Sequence, residues 1–348
     1  KKRVPGDAPV YGSNGIVGTH QQALVASPGL IIGRKGSAGN VHYSRRPFCP
    51  IDTTFYIAPG DTSLDIEFLY FLLLHIDLKR ILGDVGVPGL NREMAYKEKA
   101  RFPTGADEQR KIAGVLGLVQ RALEQQERLI ALTTELKKTL LHQLFTQGLR
   151  GEPQKQTEIG PVPESWRVTR LDEFCILQRG FDIIKKDQVA GDVPVVSSGG
   201  IASYHNIARV KGPGVVVGRK GTLGKVHYID GNYWPHDTTL WVKDFKGHDP
   251  LFTSYFLKTL RFERYNSGAS NPTLNRNTVH AELVAYPAID EQGDIGRVLR
   301  MVDDKAKVHA QKHAALRDLF RTLLHQLMTA QLSVNDLDLA GLETATTE

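Results

Sequence analysis

The residues in this sequence best suited to chemistry occur twice, and the chemistry they suit is non-covalent. Gly33-Arg34-Lys35-Gly36 closes the apolar run Leu30-Ile31-Ile32, and Gly218-Arg219-Lys220-Gly221 closes Val215-Val216-Val217. A guanidinium is a planar fork that matches a phosphate or the O6/N7 edge of a guanine, and an ammonium is a compact point charge. Glycines on both sides permit a tight turn and a close approach of backbone to a phosphate. Ser37 and Thr222 follow the two turns with a hydroxyl each. One Gly-flanked basic turn is ordinary hairpin chemistry, but its recurrence makes it a candidate contact with a polyanion. The spacing GxxxxGK[ST] of a nucleotide-binding loop is not met.

Further polar residues recur beside these turns. Asn14-Gly15 corresponds to Gly199-Gly200; Asn14 suits the donor and acceptor edge of adenine, and an Asn-Gly hairpin turn explains it equally well. Asn91-Arg92 and Asn275-Arg276 lie in Gly-rich stretches, where they can read base edges or phosphates or cap a following turn. His42-Tyr43 and His227-Tyr228 sit in strand-like runs and are expected to pack. Asp52-Thr53-Thr54 and Asp237-Thr238-Thr239 lack a second acid or base at a telling spacing, so a structural turn is expected there.

The elements that position these residues are themselves duplicated. The offset of 218 − 33 = 185 holds without a gap from Pro9/Pro194 to Thr54/Thr239. The likeness resumes at Leu90-Asn91-Arg92 and Leu274-Asn275-Arg276, then at Glu108-Gln109 and Glu291-Gln292, and ends with TLLHQL at Thr139–Leu144 and Thr322–Leu327. Each copy reads as Gly/Pro-punctuated strands, a short apolar helix (about 65–82 and about 250–264) and one long helix. Apolar residues at spacings of three and four mark the long helices, Ile112, Leu116, Val119 and Leu123 in one and Ile295, Leu299 and Val302 in the other. Thr104 with Asp107 resembles a capping box. These patterns predict an α+β chain with domains at 1–105 and 166–289, long helices at 106–147 and 290–331, a Gly/Pro-rich linker at 148–165 and a polar, flexible tail at 332–348. The front of the second copy, Trp166–Gln188, has no counterpart in the first except at its end, near Lys1-Lys2. Some tens of residues of a first domain are therefore expected to be absent from this sequence.

Stripes sustained over several heptads make each long helix the natural partner of the other. Paired antiparallel as a coiled coil, they would relate the two copies by a pseudo-two-fold axis, with ~38 residues spanning about 57 Å. Two similar heads on a rigid separator suit two half-sites on a duplex. Gln126, His309 and His313 interrupt the stripes; they either fix register or face solvent where the pair splays. The 348 residues are 41% hydrophobic and 24% charged with net charge +6, which suits a folded chain with a polyanionic partner. Two cysteines, Cys49 and Cys175, exclude a disulfide scaffold and a Cys-rich zinc site. They fit the reducing cytoplasm. The apolar stretch Phe68–Ile76 is far short of the ~20 residues of a membrane helix, so no membrane partner is expected.

With these motifs assembled, the chain resembles the specificity subunits of type I restriction-modification systems. The tandem GRKG turns, the two LNR segments, the Glu-Gln entry to each long helix, the ending HQLFTQGLRG and the restart PVPESWRVTRL carry the resemblance over nearly the full length. It implies two target recognition domains, each reading one half of a split, asymmetric double-stranded DNA site. It further implies helices that act as a ruler and dock two methyltransferase subunits, with restriction/translocase subunits as further partners. Methylation with S-adenosylmethionine and ATP-driven translocation belong to those partners, so the chain itself is expected to need no cofactor or metal and to catalyse nothing. In agreement, Asn271-Pro272-Thr273-Leu274 lacks the second proline and the aromatic residue of a methyltransferase [DN]-PP-[YF] motif. The copies differ at Arg45-Arg46 against Asp230-Gly231, Asn40 against Lys225 and Tyr11 against Val196, where half-site readers are expected to differ. The rival readings are a duplicated coiled-coil scaffold that touches no DNA, and a nuclease half of a fused system.

Overall fold

A computed structural model describes residues 4–82, 89–265 and 273–337. They fall into two compact units, Lys1–Leu129 with His309–Glu348, and Ile130–Val308. Lys1-Lys2, most of the two Gly-rich stretches before the LNR segments, Asn271-Pro272 and the end of the expected tail lie outside the described residues. Among the described residues no helix is long and apolar enough to cross a membrane.

The first unit holds strands β1 (Ala8–Gly12), β2 (Gly15–His20), β3 (Gly29–Gly33), β4 (Val41–Ser44), β5 (Cys49–Pro50) and β6 (Thr54–Ile57). They form two three-stranded sheets, β2-β1-β5 and β4-β3-β6. β3 is buried at every position, which is why it reads as an uninterrupted apolar run. Helix α1 (Ile66–Ile76) starts where the Asp65 carboxylate accepts the amide of Phe68 at 2.8 Å, and it stops at Asp77 in the left-handed region. A one-turn helix α2 (Arg92–Ala95) precedes the long helix α3 (Ala106–Thr146). Because α3 begins at Ala106, Gly105 rather than Thr104 stands at the position before its first turn, and a glycine there has no side chain with which to close the expected capping box. Leu30, Phe68, Phe71, Ile112 and Leu116 pack with Leu327 and Met328 from the end of the second long helix, Ile289–Met328. The helical segments run antiparallel here, since Lys111 meets Asn335 at 2.8 Å while Gln126 meets His309. The stretch after Leu332 is not wholly tail-like: Val334 is 1% exposed in this core.

The second unit opens with a hairpin, β7 (Gln154–Thr157) and β8 (Gly160–Pro163), where the sequence suggested only a linker. Lys155 Nζ donates to the carbonyls of Glu164 and Trp166, and Val162 is buried, so this connection is built rather than loose. There follow β9 (Arg167–Arg170), α4 (Leu171–Phe174), β10 (Ile176–Arg179), β11 (Val193–Ser197), β12 (Gly200–His205), β13 (Gly214–Gly218), β14 (Val226–Ile229), β15 (Trp234–Pro235) and β16 (Thr239–Asp244). Then come α5 (Pro250–Thr259), α6 (Arg276–His280), β17 (Leu283–Tyr286) and α7, the second long helix already introduced. Sheet β12-β11-β15 repeats β2-β1-β5. Sheet β10-β16-β13-β14 repeats the other with one strand more, and β17 pairs with β9. Within this unit too the long helices run antiparallel, with Lys137 Nζ on Asp303 at 2.5 Å and Arg150 on Asp290 at 2.7 Å.

The Gln of each Glu-Gln motif is buried and ties the long helix to its own unit. Gln109 accepts the amide of Asp65 at 2.9 Å and donates to Pro103 O at 2.8 Å. Gln292 accepts the amide of Asp249 at 3.1 Å and donates to Pro287 O and to His248 Nδ1. Of the polar interruptions, Gln126 is 4% exposed and its Oε1 meets His309 Nδ1 at 2.9 Å. It is an interior polar contact, the register-fixing alternative. His313 meets Glu127 at 3.2 Å nearer the surface.

Burial lowers the pKa of His248 and of His280 below 6.5, and Arg167 near the first and Arg276 and Arg170 near the second push the same way. Asp172 opposes the shift at His280. Both rings accept hydrogen bonds while neutral, His248 from Gln292 and His280 Nε2 from the amide of Leu177 at 2.9 Å. A lowered folded-state value means that this stabilisation is complete above pH 6.5 and is lost as pH falls through the folded values. Unfolding free energy from denaturant titration should therefore drop between pH 7 and pH 5, with a shallower drop in His280→Gln.

Candidate nucleic-acid interface

The two GRKG turns are built by the same backbone bonds. In the first unit the amides of Arg34 and Lys35 both donate to Thr53 O, at 2.8 and 3.2 Å, and Arg34 O accepts the amide of Leu90 at 2.9 Å. In the second, Arg219 and Lys220 donate to Thr238 O at 2.9 and 3.0 Å, and Arg219 O accepts the amide of Leu274 at 2.9 Å. Lys35 and Lys220 form single bridges to Gly89 and Thr273. The Asp-Thr-Thr segments are thus structural turns, as expected, whose central carbonyl anchors the basic loop. Each LNR segment is stitched to the far side of that loop.

Gly33 and Gly218 are required by a close approach inside the loop. A Cβ on Gly33 would lie 2.2 Å from Ser37 O, and one on Gly218 2.0 Å from Thr222 O. Their freedom is used internally, which corrects the expectation that both flanking glycines make room for a phosphate. Gly36 and Gly221 differ: both are exposed with φ of +73° and +75°, and a Cβ on Gly36 would have nothing within 4 Å. The outer face of the loop is the open one.

Asn14 is exposed at the tip of the β1–β2 hairpin, with Ser37 Oγ 3.5 Å from its Oδ1. The same tip is held from beneath by His42, whose Nε2 lies 3.1 Å from Ser13 O, and in the second unit by His227 on Ser198 O at 3.1 Å. Both histidines therefore brace the hairpin, and burial lowers the pKa of His227, which favours the neutral ring. Arg34 is half-buried with its guanidinium 5.9 Å from the Phe55 ring, whereas Lys35 is exposed. Asn91 caps α2 by accepting the amides of Glu93 and Met94, and Asn275 caps α6 by accepting that of Asn277. Their side-chain oxygens serve the backbone, so capping is one role of both. Arg92 and Arg276 project from the first turns so capped and are exposed. The structure thus gathers Asn14, Arg34, Lys35, Ser37, Asn91 and Arg92 around one loop, and Arg219, Lys220, Thr222, Asn275 and Arg276 around its counterpart.

In the second unit a groove of about 570 Å³ is lined by Arg179, Arg219, Tyr265, Asn275 and Arg276. Arg219 Nη1 is buried there without a hydrogen-bond partner. Arg179, on β10, pairs with Asp237 at 2.8 Å and was not legible as a site residue, because its strand has no counterpart in the first copy to give a repeat signal. Asp182, His236 and Asp237 bring ligand atoms within 4.8 Å of one another, but Arg179 already neutralises Asp237 and His236 Nδ1 meets Thr238 Oγ1 at 3.0 Å.

A pair of grooves, one in each unit, lies between the hairpin and the long helix, about 720 Å³ in the first and 590 Å³ in the second. The expected copy difference at Arg45/Asp230 falls here. Arg45 pairs with Glu67 at 2.9 Å, while Asp230 faces Arg300 at 3.7 Å, so the charges are exchanged between strand and helix. Lys225, in place of Asn40, donates to Gly199 O at the hairpin tip. The Tyr11/Val196 difference has another cause: both are buried, Tyr11 edge-on to Phe48, so it reflects core packing.

Comparison with known proteins places this geometry. A type I restriction modification DNA specificity domain matches residues 1–134 and 163–318. Two proteins of Methanocaldococcus jannaschii are similar over most of the chain. One, named as a type I restriction enzyme MjaVIII specificity subunit, is 21% identical over 79% of this chain and 72% of its own length. The other, named for MjaX, is 20% identical over 80% and 71%. The crystal structure of a type I restriction-modification system S subunit from M. genitalium superposes with TM-score 0.71 at 18% identity, covering 93% of this chain and 89% of that one, which shows a shared fold.

The strict requirement at Gly218 is open to test. Gly218→Ala should destabilise the second unit by roughly 1–3 kcal/mol through the clash with Thr222 O, read by denaturant titration. Hydrogen exchange should rise at residues 219–224 and stay unchanged in the first unit.

Proposed function

The chain belongs to the type I restriction-modification DNA specificity family, and on that premise we propose that each unit reads one half of a bipartite, asymmetric DNA site. As in its family, it is the DNA-recognition component of a type I complex and is not itself the catalyst. The observation that carries the half-site reading is the joint built twice, a basic loop and an Asn-Arg turn held by matching backbone bonds. The half-sites differ because the loop surroundings differ, Asn14 and Asn40 in one unit against Gly199 and Lys225 in the other. Arg34 and Arg219 read base edges, Lys35 and Lys220 hold phosphate, and Asn14, Ser37, Thr222, Asn91, Arg92, Asn275 and Arg276 complete the two contact surfaces.

The long helices set the spacer and dock two methyltransferase subunits, to which the restriction/translocase subunits add. In the second unit Leu132, Leu136, Met301 and Val308 are more than half exposed on α3 and α7. Apolar side chains placed so on a helix pair suit burial by a partner helix. A scaffold that touches no DNA would use the same helices but would not need the paired basic loops.

Co-expression with the cognate methyltransferase subunit, followed by mapping of methylated bases across a genome, should give a split motif with two unlike halves. A symmetric motif would refute the proposal. In binding assays Arg219→Ala should lose ~1–3 kcal/mol of discrimination at one position of one half-site. If all sequences weaken together and the salt slope falls by about one, Arg219 contacts phosphate only. Leu136→Asp combined with Met301→Asp should reduce methyltransferase co-purification while DNA-independent folding, followed by circular dichroism, stays intact.

A further inference from the structure

Homologous residues are covered in one unit and bare in the other. Trp241 on β16 is 9% exposed, but the aligned Tyr56 on β6 is 51% exposed. Tyr286 on β17 is 5% exposed, but the aligned Phe102 is 43% exposed. The cover in the second unit is one continuous segment, Trp166–Arg179. Its strand β9 pairs with β17, and its strand β10 pairs with β16 through Leu177↔Val242, Gln178↔Trp241 and Arg179↔Leu240. Between them α4 sinks Leu171 and Phe174 to 0% exposure, with the Phe174 ring 5.0 Å from Phe256 and 4.8 Å from Tyr286.

In the first unit, among the described residues, β6 pairs with β3 alone and the segment aligned with β17 pairs with no strand. The second of these places borders a groove of about 760 Å³ lined by Leu72, Phe102, Ile112 and Met328. Leu72 and Phe102 align with Phe256 and Tyr286, the rings that clasp Phe174. An ion pair beside the groove recurs in both units: Arg80 pairs with Glu98 as Arg264 pairs with Glu282.

We propose that this groove, with the edge of β6 and the stretch 99–102, is an acceptor site for a strand–turn–strand polypeptide segment with the pattern of Trp166–Arg179. An unpaired strand edge presents amides and carbonyls that a new strand satisfies, and the pocket selects the side chain that plugs it. The occupant is therefore a segment with two short β stretches and, between them, a Leu-x-x-Phe pair directed inward. It contributes the backbone partners of residues 55–57 and 99–102 and fills the pocket with an aromatic ring. The inference is independent of DNA reading, since none of these residues belongs to the basic loops.

The test uses a peptide with the sequence of residues 164–181, titrated into the full chain. Expected are saturable 1:1 binding and slowed hydrogen exchange at 54–57 and 99–102. The same peptide carrying Leu171→Asp and Phe174→Asp should bind more than about tenfold more weakly, as loss of a buried ring requires. Fusing residues 164–181 by a flexible linker ahead of Lys1 removes any failure due to weak association in trans, because the effective concentration becomes high. That fusion should raise Tm and protect the same amides, and its Asp-substituted form should do neither. Equal binding of the two peptides, or a fusion that leaves exchange at 54–57 and 99–102 unchanged, would overturn the proposal.

Discussion

A carboxamide buried at the root of each long helix holds the rest of the structure in place. Gln109 and Gln292 each bond at once to the amide that opens the short apolar helix and to the proline carbonyl that closes the preceding stretch. Both are 2% exposed or less. A primary amide is the one uncharged side chain that offers an acceptor and two donors at such a crossing. Left without partners there, the same groups would carry a desolvation penalty of about 1–3 kcal/mol each. The consequence is geometric. The basic loop is tied to its sheet, the sheet packs on α1 or α5, and that helix is clamped to the start of α3 or α7.

The duplication made much of this legible from the sequence, and its limits show where legibility stops. Recurrence identified the GRKG turns, the LNR segments and the Glu-Gln entries, since a residue kept in both copies marks a demand shared by both. It could not say which demand. Gly33 and Gly36 looked alike, yet one is fixed by a carbonyl 2.2 Å from where its Cβ would be and the other by a positive φ. Asn91 and Asn275 could have been readers or caps, and only the hydrogen bonds settle the capping. Arg179 was silent because its strand occurs once. Tyr11 against Val196 looked like a difference in recognition and is a difference in packing, which composition at one position does not distinguish.

The polar interruptions of the helical stripe were left open for a physical reason as well. A glutamine at an apolar spacing is costly if unpaired and informative if paired, and the partner of Gln126 lies 183 residues away. No local pattern reports a contact of that range. By contrast the helix lengths, α3 at 41 residues and α7 at 40, fall close to the limits drawn from periodicity, because periodicity is a local property.

One feature of the basic loop bears on how such a protein changes over time. The hydrogen bonds that tie the loop at Gly33, Arg34, Lys35 and Gly39, and again at Gly218, Arg219, Lys220 and Gly224, join backbone atoms. The side chains of Arg34, Lys35, Ser37, Arg219, Lys220 and Thr222 ride on that frame without defining it. Substitution at these positions therefore leaves the frame intact and alters only what it displays. New preferences can be explored one residue at a time, in one unit, while the other continues to present its original surface.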